Sequence, residues 1–178
     1  DLTELQRDAN RKFGFSAKQT SNVLQRLYEQ YKLVTYPRTD SRYLTSDMVP
    51  TLLGRLKGAA IGPYAALAAP FIRKPLTITK RIVDDSKVSD HHAIIPTGEA
   101  ISLATLSADE RRLYDLIVRR FLALFSGPCR FDETKLTIDI AGEKLYASGK
   151  VVKEAGWKEV YGANDFTDPD RDDNDSED

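Results

Sequence analysis

The sequence predicts an α+β chain: a mainly α-helical part over residues 1–127, followed by an antiparallel β segment over 128–162. Two observations carry this reading. Up to about residue 125, apolar residues recur at helical spacing behind good capping residues. After "SGPC" the pattern changes to strict apolar–polar alternation on either side of "AGE", the mark of a β-hairpin. With 178 residues, 41% hydrophobic and 30% charged, the chain can bury the core of one good-sized domain, or of one domain and a piece of another, and stay soluble.

The elements follow in order. Leu2, Leu5, Ala9 and Phe13 stand at helical spacing, and Gly14 is placed to stop that helix. Ser16 is a good N-cap for a second helix with an apolar face of Val23, Leu24, Leu27 and Tyr28. The pair, joined by "GFS", reads as a helix-turn-helix-like unit, an arrangement used for packing as well as for reading DNA. Residues 33–38 have strand character. Ser46 is expected to cap a helix reaching about Leu56, and a short helix is expected over Pro63 to Ile72. "LTITKRIVDD" (76–85) reads as β, and "SKVSDHHAIIPTGEA" after it as a loop. The clearest helix lies within 106–125. Ser107 and Glu110 form a capping box, and Leu113, Leu116, Ile117, Phe121 and Leu124 line one face. No internal repeat is present.

The net charge of −1 hides an asymmetry. Residues 163–178, "ANDFTDPDRDDNDSED", hold eight acids and one base and are expected to be a disordered, solvating tail. Without them 25 bases face 19 acids, a net of +6, and residues 1–74 alone carry twelve bases and six acids. That half is where a polyanion would sit. No apolar run approaches the ~18 residues of a membrane span, so no membrane partner is expected. The lone Cys129 excludes an internal disulfide and a cysteine-based metal cluster, and a cytoplasmic setting is expected. The start, "DLTELQRDANRK", has neither an initiator Met nor a signal pattern and reads as if cut from a longer protein.

Candidate chemistry centres on "LVTYPRTDSRYLTSDM", residues 33–48. Phenols ionise near pH ~10 and are poor nucleophiles unless a neighbour stabilises the oxyanion or takes the proton. Pro37 disfavours helical backbone at Tyr36, and on extended backbone Tyr36 and Arg38 project to the same side. A guanidinium there would favour the phenolate and grip a phosphodiester through two oxygens. Asp40 could orient Arg38 or relay a proton, and Arg42 is a candidate for contact with a backbone phosphate. Taken alone, the triplet reads first as a structural aromatic before a proline, and only second as a nucleophile beside its clamp. His91 and His92 are the only histidines, and an imidazole near a phosphate can donate a hydrogen bond or a proton. Sequence neighbours point in different directions and no HxxxH or cysteine pattern accompanies them, so a metal site is not expected. Neither a phosphate-cradling glycine motif nor a GxSxG elbow occurs.

Three stretches in this order, "LTELQRDANRKFGFSAKQT", "YKLVTYPRTDSRYL" and "DHHAIIPT", resemble the type IA DNA topoisomerases, closest to the topoisomerase III branch. The helix over 107–125 and "CRFDETKLTIDIAGEKLYASGKVVKEAGWKEVY" follow in the family's order, so the resemblance covers roughly residues 1–160. It implies an active-site tyrosine domain over 1–127 and a piece of the β-rich hinge domain over 128–162, with 163–178 an acidic excursion. Tyr36 would attack a phosphodiester of single-stranded DNA, leaving a 5′-phosphotyrosine and a free 3′-hydroxyl without ATP. Arg38 matches the arginine that binds the scissile phosphate, His91 the histidine that contacts it, and Asp40 a supporting aspartate; no role transfers to His92. No cofactor is expected in this chain. The resemblance implies Mg²⁺ in the full-length protein, bound by a toprim domain that would precede residue 1. It further implies partner domains of the same polypeptide, and nucleoid association in a bacterium. The fragment alone is expected to lack turnover. A non-catalytic DNA-binding or interaction module is the rival reading. A tyrosine recombinase is disfavoured because its Arg/His cluster precedes its tyrosine.

Overall fold

The computed structural model describes residues 1–99 and 101–162; the acidic tail expected over 163–178 lies outside them. The architecture is α+β. The chain divides into two compact units, residues 1–125 and 126 onward.

The first unit is helical where caps and periodicity agree. Helix α1 spans Leu2–Phe13 and ends on Gly14, whose φ of 69° suits glycine. Gly14 N–H donates to Asn10 O (2.8 Å) and Phe15 N–H to Ala9 O (3.4 Å), satisfying carbonyls the helix end would orphan. Helix α2, Ala17–Glu29, starts under Ser16, whose side chain accepts from Gln19 N–H. It buries Thr20, Val23, Leu24 and Leu27. Helices α3 (Val49–Ala59), α4 (Tyr64–Ile72) and α5 (Ala108–Ala123) complete the set. Both sides of the Ser107–Glu110 capping box are formed on α5. Helix α5 packs on α1, α2 and α4, and α3 on α4. The floor of the unit is Leu24, Leu27, Leu52, Leu56, Leu113, Tyr114 and Leu122, each at most 1% exposed. Burial raises the Tyr114 phenol to about 12.

One buried carboxylate ties this floor together. Glu110, 4% exposed, accepts from Ser107 N–H (2.9 Å), Arg26 Nε (2.7 Å) and the Tyr31 hydroxyl (3.3 Å). Burial by itself would raise its pKa. The hydrogen bonds from Ser107 and Arg26 outweigh burial and hold it below the ordinary carboxylate value.

Three expectations are corrected. Residues 76–85 form no strand: Ile82 and Val83 N–H both bond back to Thr79 O in a turn, and only one bridge, Val83 to Leu44, forms. Apolar–polar alternation there meets no neighbouring strand along which a ladder could extend. Residues 33–38 are extended but make a single bridge, Val34 to Pro96. Pro37 and Pro96 both lack an N–H, which stops the ladder from propagating. Ser46 does not cap a helix. Ser46–Met48 is a 3₁₀ turn, Ser46 N–H goes to Asp85 Oδ1 (2.7 Å), and α3 begins at Val49. Pro50 fixes that start, since proline suits a first turn and disrupts an interior.

In the second unit, β1 (Arg130–Ile140) and β2 (Glu143–Glu154) pair antiparallel, with Ile138 opposite Leu145 and Leu136 opposite Ala147. Ala141 (φ 55°) and Gly142 (φ 91°) form the two-residue turn, left-handed at both positions.

Candidate active site

The chain leaves α2 through Lys32, itself left-handed (φ 56°), and continues as extended backbone. From residue 37 to 42 burial alternates with period two. Pro37, Thr39 and Ser41 are buried, while Arg38, Asp40 and Arg42 are exposed. The inward side chains are therefore a proline and two hydroxyls, and those hydroxyls need partners.

Residues 91–97 supply many of them. Thr35 N–H donates to Ile95 O (3.0 Å), and Thr97 N–H donates to Leu33 O (3.0 Å). The Thr35 hydroxyl donates to Ala93 O (3.2 Å) and accepts from Ile95 N–H (3.0 Å). The Thr39 hydroxyl donates to His91 O (2.8 Å) and accepts from Ser41 N–H (3.1 Å). The Ser41 hydroxyl donates to Lys87 O (3.0 Å), and Ala93 N–H donates to Tyr43 O (2.9 Å). Two loops some fifty residues apart are clasped by their own backbone, by these three hydroxyls of the first loop, and by the Thr97 hydroxyl of the second, which donates to Lys32 O (2.6 Å).

The clasp brings Tyr36 and His91 together. Their ring centroids lie 4.0 Å apart with the planes tilted by 30°, a stacked pair. Tyr28, on α2, meets the Tyr36 ring edge-on at 5.8 Å. The Tyr36 hydroxyl makes no hydrogen bond to a described residue, so its oxygen is available. Arg38 is exposed and likewise makes no hydrogen bond or ion pair within the described residues. Asp40 is exposed beside it. Arg42 is engaged: Nε contacts Asp1 Oδ2 at 2.9 Å and Nη2 contacts Glu4 Oε1 at 3.3 Å. His92 does not join the tyrosine; its Nδ1 lies 2.8 Å from Ala93 O.

Behind the 91–97 segment, α3 approaches without side chains between. A Cβ on Gly58 would collide with the Gly98 carbonyl. One on Gly98 (φ 89°) would come within 2.9 Å of Arg55 Cα. A cavity of about 260 Å³ lies between α1, α5 and residues 93–95, walled by Leu5, Leu44, Ile95, Ile117 and Phe121. Tyr36, Arg38 and His91 are not among its walls. No group of three His, Cys, Asp or Glu side chains among the described residues could hold a metal ion. No described helix is long and apolar enough to cross a membrane.

Sequence reasoning did not single out Thr35, Thr39, Ser41 or Tyr28. The three hydroxyls had a signal: they occupy the alternate positions of the same extended run that carries Tyr36 and Arg38. Tyr28 was assigned to the packing face of α2, and nothing in its spacing points to Tyr36.

The sequence matches the profile of a family described as DNA topoisomerase over residues 1–176. It is 56% identical over 172 residues to the DNA topoisomerase 3 of Bacillus licheniformis, covering 97% of this chain and 23% of the relative. To the DNA topoisomerase 3 of Bacillus subtilis it is 54% identical over 175 residues, covering 98% of this chain and 24% of that protein. The chain thus spans about a quarter of the length of these relatives. The structure of full-length topoisomerase I from Thermotoga maritima shares the fold, with a TM-score of 0.57 at 24% identity. That match covers 95% of this chain and 28% of the other.

Proposed function

The chain belongs to the type IA DNA topoisomerases, as a topoisomerase III-like segment, and from that premise we propose that Tyr36 is the nucleophile with which the whole protein cuts one DNA strand. The observation that carries the proposal is the stack of Tyr36 on His91, with Arg38 exposed two residues along the chain and without a hydrogen bond or ion pair among the described residues.

In the proposed step the Tyr36 phenol oxygen attacks a phosphodiester phosphorus and the P–O3′ bond breaks. The phenol loses its proton and the departing 3′-oxygen gains one. One phosphoester replaces another, so religation is the reverse attack and no ATP is consumed. Arg38 takes two non-bridging oxygens of the scissile phosphate and stabilises the charge that builds on them. His91, held against the nucleophile's ring, donates a hydrogen bond to the same phosphate. Asp40, which makes no bond to Arg38 in this structure, has a supporting role on the same face, and Arg42 contacts a neighbouring phosphate by exchanging its carboxylate partners for one. These residues lie on an outward face rather than in a cavity, which suits a long strand better than an enclosed small ligand. Single-stranded DNA is the proposed substrate, as membership of the type IA family implies.

In this reading Mg²⁺ is held by another domain of the same polypeptide, as the family's toprim domain implies. The isolated segment accordingly lacks turnover, and strand passage for relaxation or decatenation is a property of the whole protein. A soluble bacterial setting at the nucleoid fits that role.

The test is to incubate the full-length protein with single-stranded DNA and Mg²⁺ and then denature it. A covalent adduct carrying the 5′ end of the break is expected, and it is lost in Tyr36→Phe. An adduct that survives this substitution would sink the proposal. DNA binding with no adduct under any condition would favour a non-catalytic binding module instead.

A further inference from the structure

Residue 91 is held by few bonds. Its ring is exposed and makes no hydrogen bond to a described residue. Apart from the ring contact with Tyr36, its one hydrogen bond among the described residues is from the Thr39 hydroxyl to its carbonyl, at 2.8 Å. The next tie between the two loops comes two residues on, at Ala93. Thr39 is suited to carry this bond. It is 6% exposed, and its oxygen also accepts from Ser41 N–H, so the hydroxyl hydrogen is directed at His91. Its own carbonyl accepts from Leu2 N–H at 3.0 Å, which ties the residue to the start of α1.

We propose that Thr39 is a positioning residue: its hydroxyl fixes the His91 carbonyl and thereby keeps the imidazole stacked on Tyr36. The hydroxyl works through the backbone and touches neither reacting ring. Thr35 holds Ala93 and Ile95 in the same way one step further along, and so keeps the rest of the segment in place when the Thr39 bond is removed. Where the imidazole sits does not depend on the proposed function; the effect on DNA cleavage rests on it.

The two halves are tested separately. In this 178-residue chain only His91 and His92 give imidazole ring resonances, and His92 serves as the internal control. The Tyr36 ring current should displace the His91 ring protons, and Tyr36→Leu should remove that displacement. Thr39→Val keeps the branched shape but not the donor. It should move the His91 resonances most of the way to their Tyr36→Leu positions while His92 stays put. Thr39→Ser, which keeps the donor, should restore them. His91 signals unmoved in Thr39→Val, or unrestored in Thr39→Ser, would overturn the proposal. If the valine variant loses its backbone fingerprint, comparison of Thr39→Ala with Thr39→Ser decides the same question. In the full-length protein, Thr39→Val should slow adduct formation roughly tenfold, the population cost of about one hydrogen bond. DNA affinity should hold and Thr39→Ser should recover the rate. A full-length protein that traps no DNA even as wild type refutes the functional reading and leaves the resonance result standing.

Discussion

Two stretches of extended backbone in this molecule share a period of two and differ in what they do with it. Along residues 37–42 the inward positions are Pro37, Thr39 and Ser41, all buried, with the hydroxyls bonded to the loop around His91. Along the β1–β2 hairpin the paired positions Leu136, Ile138, Ile140 and Leu145 form an apolar face that stays 43–58% exposed. The site segment buries polar atoms and satisfies them; the hairpin leaves apolar atoms in water. Alternation thus reports the form of the backbone, while burial depends on whether a second segment arrives to cover one side. In the first unit residues 87–97 arrive with the donors and acceptors that two hydroxyls and a proline-interrupted backbone need.

Four perturbations would break or sharpen this contrast. The largest effect is expected under the site, where Leu24 is fully buried: Leu24→Ala should cost about 2–5 kcal/mol in denaturant unfolding followed by helical circular dichroism. A loss comparable to that of an exposed hairpin leucine would mean that the helical floor is not packed as described. Next comes Gly58→Ala at the back of the clasp, expected to cost about 1–3 kcal/mol because backbone must move to admit a methyl group. The same variant should shift the amide resonances of Thr97 and Gly98, and an unchanged spectrum would refute the close approach.

Glu110→Gln should cost about 0.5–2 kcal/mol at neutral pH by weakening the α5 cap and the bond to Arg26. Because folding holds the Glu110 pKa below its ordinary value, its contribution is complete above that value. It is lost as the pH falls through the lowered one. Below about pH 4.5, therefore, wild type should lose stability faster than Glu110→Gln, and parallel pH curves would contradict this. The smallest effect belongs to the hairpin. Ile138→Thr should change stability by no more than about 0.5 kcal/mol, since the side chain is already 43% exposed. A loss of several kcal/mol there would show that its face is covered in solution.

Much of the scaffold was legible where local chemistry decides structure. Gly14, Ser16, and the Ser107–Glu110 pair mark helix ends because orphan backbone groups there need a particular neighbour a few residues away. The hairpin was legible for the same reason, its turn and both strands lying within 25 residues of one another. The errors fall where the answer depends on a distant segment. Residues 76–85 alternate like a strand, but only Leu44 comes alongside. At the site, period two put Tyr36 and Arg38 on one side in advance, and the structure places Arg38 outward, with Asp40 and Arg42 following on the same exposed alternation. That Arg42 is paired with Asp1 and Glu4, and that His91 stacks on Tyr36, required the fold. No local rule links residue 39 to residue 91.

The contact of Gly58 with Gly98 gives this arrangement a mechanical character. Side chains yield by changing rotamer, and a helix resting on them can shift while its neighbour stays in place. Where main chain meets main chain there is no such cushion. Helix α3 is therefore a hard stop for the end of the histidine segment. Any repositioning of α3 would have to be met by main-chain movement at Gly98, where the segment that begins at His91 ends.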